Sequence, residues 1–216
     1  MLLSQGGKDM KQALRKIRRP FVWLFIKLVY GLGCLCYEKK YLTGRHFNRW
    51  HFTDGWRWIL RCWFGQKIMG RNRHVPWPVP PYVAITCPWN IHFDPDDMQN
   101  FHCVGSYFQG VDGKIFLGKG CFIAPGTGLI TSNHDPVNAE NHLPGKDIVL
   151  GDGCWVGMNA VILPGVTLGP HTSVGAGAVV TKSFPEGYCI VAGTPAKKIK
   201  EVPQSRRPSG LRKTMS

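Results

Sequence analysis

The chain has 216 residues and a formal net charge of +14, which leaves room for one ordinary domain and an appendage. The 8 cysteines form no CxxC pair and no zinc-like spacing, which favours reduced structural thiols in a cytoplasmic protein over a disulfide framework. Residues 1–74 hold 16 Lys and Arg against 3 acidic residues, so nearly all of the basic character lies there and the rest of the chain is close to neutral.

A basic run over residues 8–19 is followed by an apolar stretch over residues 21–37. Pro20 suits the first position of a helix, so we expect a helix to begin there. The apolar stretch is shorter than the ~20 residues that cross a bilayer, and Lys27 interrupts it, which also makes it a poor secretory signal. The pattern therefore predicts a helix that lies in the plane of a membrane surface, with its basic flank on the cytoplasmic side.

A second helix is predicted over residues 55–64, with Asp54 as its cap and Gly65 as its C-terminal stop. Helical spacing separates Arg57 and Arg61 from an apolar side. That apolar side consists of Trp56, Ile59, Leu60 and Trp63. Tryptophan prefers the membrane interface, so we expect this helix also to contact lipid.

The combination of basic residues and tryptophan in residues 1–74 is compatible with two partners, a nucleic acid or an anionic bilayer surface. No recognised nucleic-acid module appears in the sequence, which favours the membrane. A structural alternative stays open, in which the aromatic residues pack against the end of the following domain and close its core.

The chain divides at a proline-rich stretch. Residues 75–82 are predicted to be a stiff linker and residues 83–200 the main domain. Candidate walls for its first, irregular coils are residues 83–85, 101–104 and 107–111. Residues 201–216 are polar and basic and are predicted to be a disordered tail.

Aliphatic residues recur at every sixth position of the main domain. The series comprises Leu117, Ile123, Leu129, Leu150, Val156, Ile162, Leu168, Val174 and Val180. A period of six fits neither an α-helix nor simple strand alternation, but it fits short flat walls joined by tight corners. The fold class predicted is mainly β, a left-handed parallel β-helix with three hexads per turn, preceded by the helical, amphipathic membrane-surface segment.

The repeat is interrupted once, between Ile130 and Asp147. A loop expelled from a regular solenoid is an irregularity that usually frames a site. His134 lies at the base of this excursion, in the sequence Asn-His-Asp-Pro, and is therefore the candidate for chemistry.

Three segments carry a resemblance to a known family: residues 150–169 (LGDGCWVGMNAVILPGVTLG), 174–182 (VGAGAVVTK) and 192–199 (AGTPAKKI). They resemble the hexapeptide-repeat acyltransferases, which include galactoside, maltose and serine acetyltransferases. The resemblance is closest to the O-acetyltransferases of exopolysaccharide and lipopolysaccharide synthesis, and it covers about residues 105–200. Residues 1–74 have no counterpart in the soluble sugar enzymes.

The resemblance implies the acceptor side of a site. His134 matches the catalytic histidine of the family, a general base for the acceptor hydroxyl. Asp112 precedes it by 22 residues, the separation at which the galactoside enzyme carries an acceptor-binding aspartate. An ordinary turn residue is the alternative for Asp112. Val104 stands where the galactoside enzyme has an asparagine, so acceptor recognition is expected to differ.

The resemblance also implies a donor side for acetyl-CoA, with no metal. Trp155 matches an aromatic residue beside the pantetheine groove, and a backbone N–H near Met158 would meet the oxyanion. Ala176 lies between two glycines that let the pantetheine arm approach the backbone. Four residues match positions toward the nucleotide end: Thr181, Lys182, Lys197 and Lys200. For the C-terminal lysines a solvated basic end is the alternative.

The predicted function is that of a membrane-associated O-acetyltransferase acting on a sugar hydroxyl of a lipid-linked or cell-surface glycan. The resemblance implies a homotrimer with its clefts between neighbouring chains. The predicted location is the cytoplasmic face of the inner membrane, with an anionic lipid surface and no nucleic acid as partner.

Three other functions stay open from the sequence: a soluble small-molecule acetyltransferase, a non-catalytic β-helical scaffold and a zinc enzyme of the β-helical carbonic anhydrase kind. The zinc enzyme needs three convergent histidines, two of them five residues apart. His134, His142 and His171 do not have that spacing.

Overall fold

The computed structural model describes the backbone of residues 3–203 and the side chains of residues 19–203. The predicted tail therefore lies outside the described residues from position 204 onward. The chain divides into two compact units, Met1–Pro81 and Tyr82–Ser216.

The first unit is helical. Helix α1 spans Leu3–Cys36, a 3-10 turn follows at Lys39–Tyr41, and α2 spans Asp54–Trp63 and continues into a π-helical turn at Phe64–Ile68. Pro20 lies inside α1 and does not begin it. A proline removes one helical hydrogen bond, and the Lys, Arg, Leu and Ala residues before it favour continuation of the helix.

Helix α2 begins one residue earlier than predicted, with Thr53 at its N-cap. Asp54 instead occupies the first turn and pairs with Arg57 at 2.9 Å. Gly65 does not end the helical segment, because the next residue, Gln66, is held in the core. Its amide donates to the carbonyls of Val75 and Trp77, and its side-chain oxygen accepts the N–H of Val79.

Two of the four residues on the predicted apolar side of α2 pack inside the first unit, so the predicted contact with lipid is wrong for those two. Trp56 and Ile59 are buried, and Trp56 meets the ring of Phe47 edge to face at 5.1 Å. Gly33 of α1 permits this packing, since a Cβ there would lie 2.7 Å from the Ile59 side chain. Trp63 is only partly buried, and Leu60 is exposed.

The proline-rich segment at residues 75–82 also differs from the predicted linker. Val75, Trp77 and Val79 are fully buried, and Pro78 and Pro80 are buried as well, so this segment packs within the first unit. The buried side chain of Gln66 forms hydrogen bonds with backbone groups of this segment.

The second unit is a coil of short strands. They are β1 (Ala84–Thr86), β2 (Ile91–His92), β3 (Tyr107–Gln109), β4 (Ile115–Leu117), β5 (Phe122–Ile123), β6 (Gly128–Ile130), β7 (Ile148–Leu150), β8 (Trp155–Val156), β9 (Val161–Ile162), β10 (Thr167–Leu168), β11 (Ser173–Val174), β12 (Val179–Val180), β13 (Cys189–Gly193) and β14 (Ala196–Glu201).

The strands form three sheets, which the chain visits in turn. Sheet A has the order β1-β3-β6-β9-β12, sheet B has β10-β7-β4-β2, and sheet C has β14-β13-β11-β8-β5. Every pairing is parallel except the hairpin of β13 and β14. That hairpin includes Glu201, the first residue of the predicted tail.

The register confirms three hexads per turn. Leu150 pairs with Leu168, and Val156 pairs with Val174, so stacked residues are 18 apart. All nine aliphatic residues of the predicted series are buried and form the core of the coil.

The first coil replaces its third wall with a 3-10 segment, Pro95–His102, where part of a wall was predicted at residues 101–104. Asn100 within it is buried, and its side chain forms the hydrogen bonds to the next coil that a strand backbone would form. Its amide donates to the Cys121 carbonyl at 2.9 Å, and its oxygen accepts the N–H of Ile123 at 2.9 Å.

Candidate functional site

The interruption of the repeat is a corner loop between sheets A and B. Ile123 and Val156 are paired across it although their numbers differ by 33, so the loop adds 15 residues to a coil of 18. Three backbone bonds order it: Lys146 N–H to the Thr131 carbonyl, Leu143 N–H to Asn133, and Asp135 N–H to Asn141, at 2.8, 2.8 and 2.9 Å. The loop is thus a hairpin fixed to the rigid coil.

His134 lies exposed on this hairpin, opposite His142. Its Nδ1 lies 2.7 Å from the carbonyl oxygen of Ala139. A carbonyl oxygen can only accept, so Nδ1 must carry the proton, and Nε2 of the neutral ring keeps its lone pair. The ring of His142 lies 4.3 Å away between centroids and supports this orientation. The arrangement can remove a proton from a hydroxyl group placed at Nε2.

Asp112 lies at the same corner, one coil earlier. It adopts a left-handed backbone conformation in the turn before β4, at φ 55°. Its carbonyl leaves no room for a Cβ on Gly145, in the far leg of the hairpin. Lys114 N–H donates to Asp147 Oδ1 at 2.8 Å and joins the turn to that leg. The structure therefore brings Asp112 and the loop of His134 together.

Sequence reasoning missed several residues at this corner. Ala139 orients His134, and His142 supports the ring, but neither occupies a periodic position, so the repeat carried no signal for them. Trp89 is 69% exposed at the same corner of the first coil. Its neighbour Asn90 donates to the Gly110 carbonyl at 2.8 Å, which fixes this corner to the turn of Asp112.

Two of the predicted donor-side residues lie at a different corner, between sheets C and A. Met158 and Ala176 are exposed in stacked turns joined by the bond from Gly177 N–H to the Met158 carbonyl at 2.8 Å. Within the described chain no acceptor receives the Met158 N–H, which is therefore available to an oxyanion.

Trp155 lies just before this corner, on the outer face of sheet C, and is exposed. It pairs in register with Phe122 and Ser173 on the neighbouring strands.

The remaining predicted residues are exposed cations and a hydroxyl. Thr181 and Lys182 lie between sheets A and B, two coils beyond His134. Lys197 and Lys200 lie on β14 and have no carboxylate partner among the described side chains, whereas Lys198 between them pairs with Glu201 at 2.7 Å. One chain thus places Asp112 and His134 at one corner, and Met158 and Ala176 at another, and does not bring the two groups together.

The cysteines do not extend the site. All 8 are free thiols, and Cys121 and Cys154 are buried with Sγ donating to the carbonyls of Gly151 and Gly169. Burial raises the pKa of Cys62 to about 12, and a protonated thiol is a poor nucleophile. Over the residues whose side chains are described, no group of three or more His, Cys, Asp or Glu side chains could hold a metal ion.

A hexapeptide-repeat parallel β-helix with an expelled histidine loop defines a class of transferases, and the comparisons with known proteins agree with it. Residues 147–182 match the family described as bacterial transferase hexapeptide (six repeats). The putative colanic acid biosynthesis acetyltransferase WcaF of Escherichia coli K12 is 33% identical over 147 residues, which are 68% of this chain and 75% of that protein. The chain belongs to the hexapeptide-repeat transferase family, which confirms the predicted family and its left-handed parallel β-helix.

Other relatives are matched over less of their length. A putative acetyltransferase of Schizosaccharomyces pombe is 34% identical over 57% of this chain. The chain spans 59% of that protein, and 64% and 46% of putative acetyltransferases of Dictyostelium discoideum and Saccharomyces cerevisiae. A solved galactoside acetyltransferase in complex with coenzyme A is 31% identical, with 60% of this chain and 63% of that chain covered and a TM-score of 0.49.

We expect neutral His134 to exist as the Nδ1–H tautomer, because the Ala139 carbonyl accepts that proton. Long-range proton–nitrogen NMR of protein with 15N-labelled histidine, recorded at alkaline pH, measures the tautomer directly. A His134→Asn variant assigns the signal. An Nε2–H tautomer for His134 would contradict this geometry.

Proposed function

We propose that the protein is an acetyl-CoA-dependent O-acetyltransferase whose acceptor is a sugar hydroxyl of a lipid-linked or cell-surface glycan. The observation that carries the proposal is the hydrogen bond from His134 Nδ1 to the Ala139 carbonyl, which leaves Nε2 as a base on a rigid corner. The relatives support the reaction class, since their names describe putative acetyltransferases, one of them in colanic acid biosynthesis.

The proposed reaction is direct transfer. Nε2 of His134 accepts the proton of the acceptor hydroxyl while its oxygen attacks the thioester carbonyl of acetyl-CoA. The tetrahedral intermediate carries its negative charge on the former carbonyl oxygen, where the Met158 N–H would donate to it. Collapse breaks the carbon–sulfur bond, and the CoA thiolate takes the proton from the imidazolium. Each cycle therefore returns His134 to its neutral form without an acyl-enzyme.

This reaction needs two copies of the chain. His134 and Met158 lie at different corners of one coil, so we propose that His134 of one copy faces Met158 of another in a homotrimer. The exposed Trp155 and Ala176 would then line the pantetheine arm. Thr181, Lys182, Lys197 and Lys200 would lie toward the nucleotide phosphates, where cations are favourable.

Acceptor binding is assigned to the corner of Asp112. Its carboxylate can accept a hydrogen bond from a second sugar hydroxyl. The exposed ring of Trp89, on the same line of corners, offers an apolar face of the kind that stacks on sugar rings. Val104 is exposed and adds no polar group.

Membrane association is proposed for the first unit, on the cytoplasmic face of the inner membrane. Among the described residues, Arg19–Cys36 of α1 is the one stretch that is long and apolar enough to cross a membrane by length and composition. Leu28 and Leu35 are 66% and 87% exposed there, and Phe21 and Leu24 are exposed on the same side. Such a surface favours contact with lipid.

Replacement of His134 by asparagine should lower kcat by roughly 10²- to 10⁴-fold, because it removes the base, while the affinity for acetyl-CoA stays unchanged. An acetyl-transfer assay and calorimetric titration measure the two quantities. His171→Asn is the matched control, since asparagine tolerates the φ of 55° at that turn. Undiminished turnover of the His134 variant would refute the mechanism, and absence of acetyl-CoA binding by the native protein would favour a scaffold.

Lys197→Ala and Lys200→Ala should each raise the KM for acetyl-CoA about two- to fivefold, since exposed ion pairs contribute up to about 1 kcal/mol. Lys198→Ala is the control on the same strand, because its charge is already paired with Glu201. An equal rise in KM for all three variants would show that acetyl-CoA binding depends only on the net charge of this strand.

The double variant Leu24→Glu, Leu28→Glu should lower the affinity of the protein for lipid vesicles about tenfold or more. Each exposed leucine contributes roughly 1.5–3 kcal/mol when it is buried in acyl chains. Vesicle flotation of the full chain measures the bound fraction. Val104→Glu, an equivalent change in the second unit, is expected to float like the native protein. Unchanged flotation of the α1 variant would refute membrane contact through this helix.

A further inference from the structure

The first unit contains a cavity of about 350 Å³ that no step of the proposed reaction uses. Helix α1 forms one wall with Trp23, Lys27 and Tyr30, and the segment around Phe47 and Arg49 forms the other, with Trp56 of α2 at its base. The volume lies in the lower part of the range of about 300–1,000 Å³ that holds small ligands.

The cavity combines aromatic walls with positive charge. Lys27 and Arg49 are the charged residues among those that line it, and neither has a carboxylate partner among the described side chains. The two carboxylates described in this unit are occupied elsewhere: Glu38 pairs with Lys40 at 2.8 Å and Asp54 with Arg57 at 2.9 Å. Lys27 Nζ lies 3.7 Å from the centroid of the Trp23 ring, a contact that orients the cation without neutralising it.

Helix α1 presents this cavity and an apolar surface on different sides. Trp23, Ile26, Lys27 and Tyr30 follow the i, i+3, i+4, i+7 spacing of one helix face. Phe21, Leu24, Leu28 and Leu35 are exposed on another face, about 140° around the helix at 3.6 residues per turn. A helix is about 10–12 Å across, and an interfacial helix buries its apolar face about 5–10 Å into the boundary between headgroups and acyl chains. The opposite side of α1, where the cavity lies, would then be within reach of lipid headgroups.

We propose that this cavity binds the phosphate headgroup of an anionic membrane lipid. Lys27 and Arg49 contact the phosphate oxygens, and the rings of Trp23, Tyr30 and Trp56 contact the carbon atoms next to it. A free inorganic anion would use the two cations but none of the aromatic wall, whereas a lipid phosphate uses both. The inference rests on the proposed membrane association of α1 and adds headgroup selectivity to it.

The test uses the full chain and vesicles of phosphatidylcholine with and without phosphatidylglycerol. The double variant Lys27→Gln, Arg49→Gln should lose the preference for phosphatidylglycerol by about tenfold or more, as expected for two charge-assisted contacts. The double variant Arg61→Gln, Arg71→Gln removes the same charge from exposed positions outside the cavity. Its preference for phosphatidylglycerol should fall by at most about threefold. Equal losses in both variants would overturn the proposal in favour of general attraction.

Binding to pure phosphatidylcholine reports the apolar face of α1 separately, so failure of membrane association and failure of the headgroup site give different results. A second measurement needs no variant. Monomeric dihexanoyl phosphatidic acid should change the tryptophan fluorescence of the native protein at concentrations at least tenfold below those of inorganic phosphate. Equal potency of the two probes, or no response to the short-chain lipid, would overturn the proposal.

Discussion

Parallel stacking of 18-residue coils is the constraint on which the second unit depends. Strands of two or three residues have no stability of their own, and each is held by the coils before and after it. The inward aliphatic residues set the register, so Leu150 must lie under Leu168 and Val156 under Val174. An insertion is tolerated where it leaves that register intact, which means at a corner. The 15 extra residues that carry His134 satisfy this rule, since β7 still pairs with both β4 and β10.

The orientation of His134 comes from the backbone of its own loop and not from an acidic side chain. The Ala139 carbonyl supplies the acceptor for Nδ1, and the hairpin bonds fix Ala139 relative to the coil. A carbonyl does not titrate, so this orientation persists over any pH at which the fold survives.

The coil could be predicted from the sequence because its signal is local and repeated. The aliphatic residues from Leu117 to Val180 recur at every sixth position, a period that neither an α-helix nor simple strand alternation has. The corner of His134 was predictable as a break in that period, whereas Ala139 and His142 follow from hairpin closure, which leaves no periodic trace. The helical unit was harder. Trp56 and Ile59 have the pattern of a membrane face and of a core face alike, and the choice depended on Gly33, a residue on another helix. The prolines of residues 75–82 are typical of a linker, and the sequence carried no signal that Pro78 and Pro80 are buried together with Trp77 and Val79.

The separation of the two corners also affects regulation of the proposed enzyme. If His134 and Met158 act on one acetyl group from different copies, an isolated chain holds only half of each site. Dilution would dissociate the copies, so the activity per chain would then depend on the concentration of the enzyme. Each chain would supply His134 to one site and Met158 to another, so a change at one corner would disable one site per altered chain. Two inactive variants, each altered at a different corner, would then form some intact sites when they assemble together.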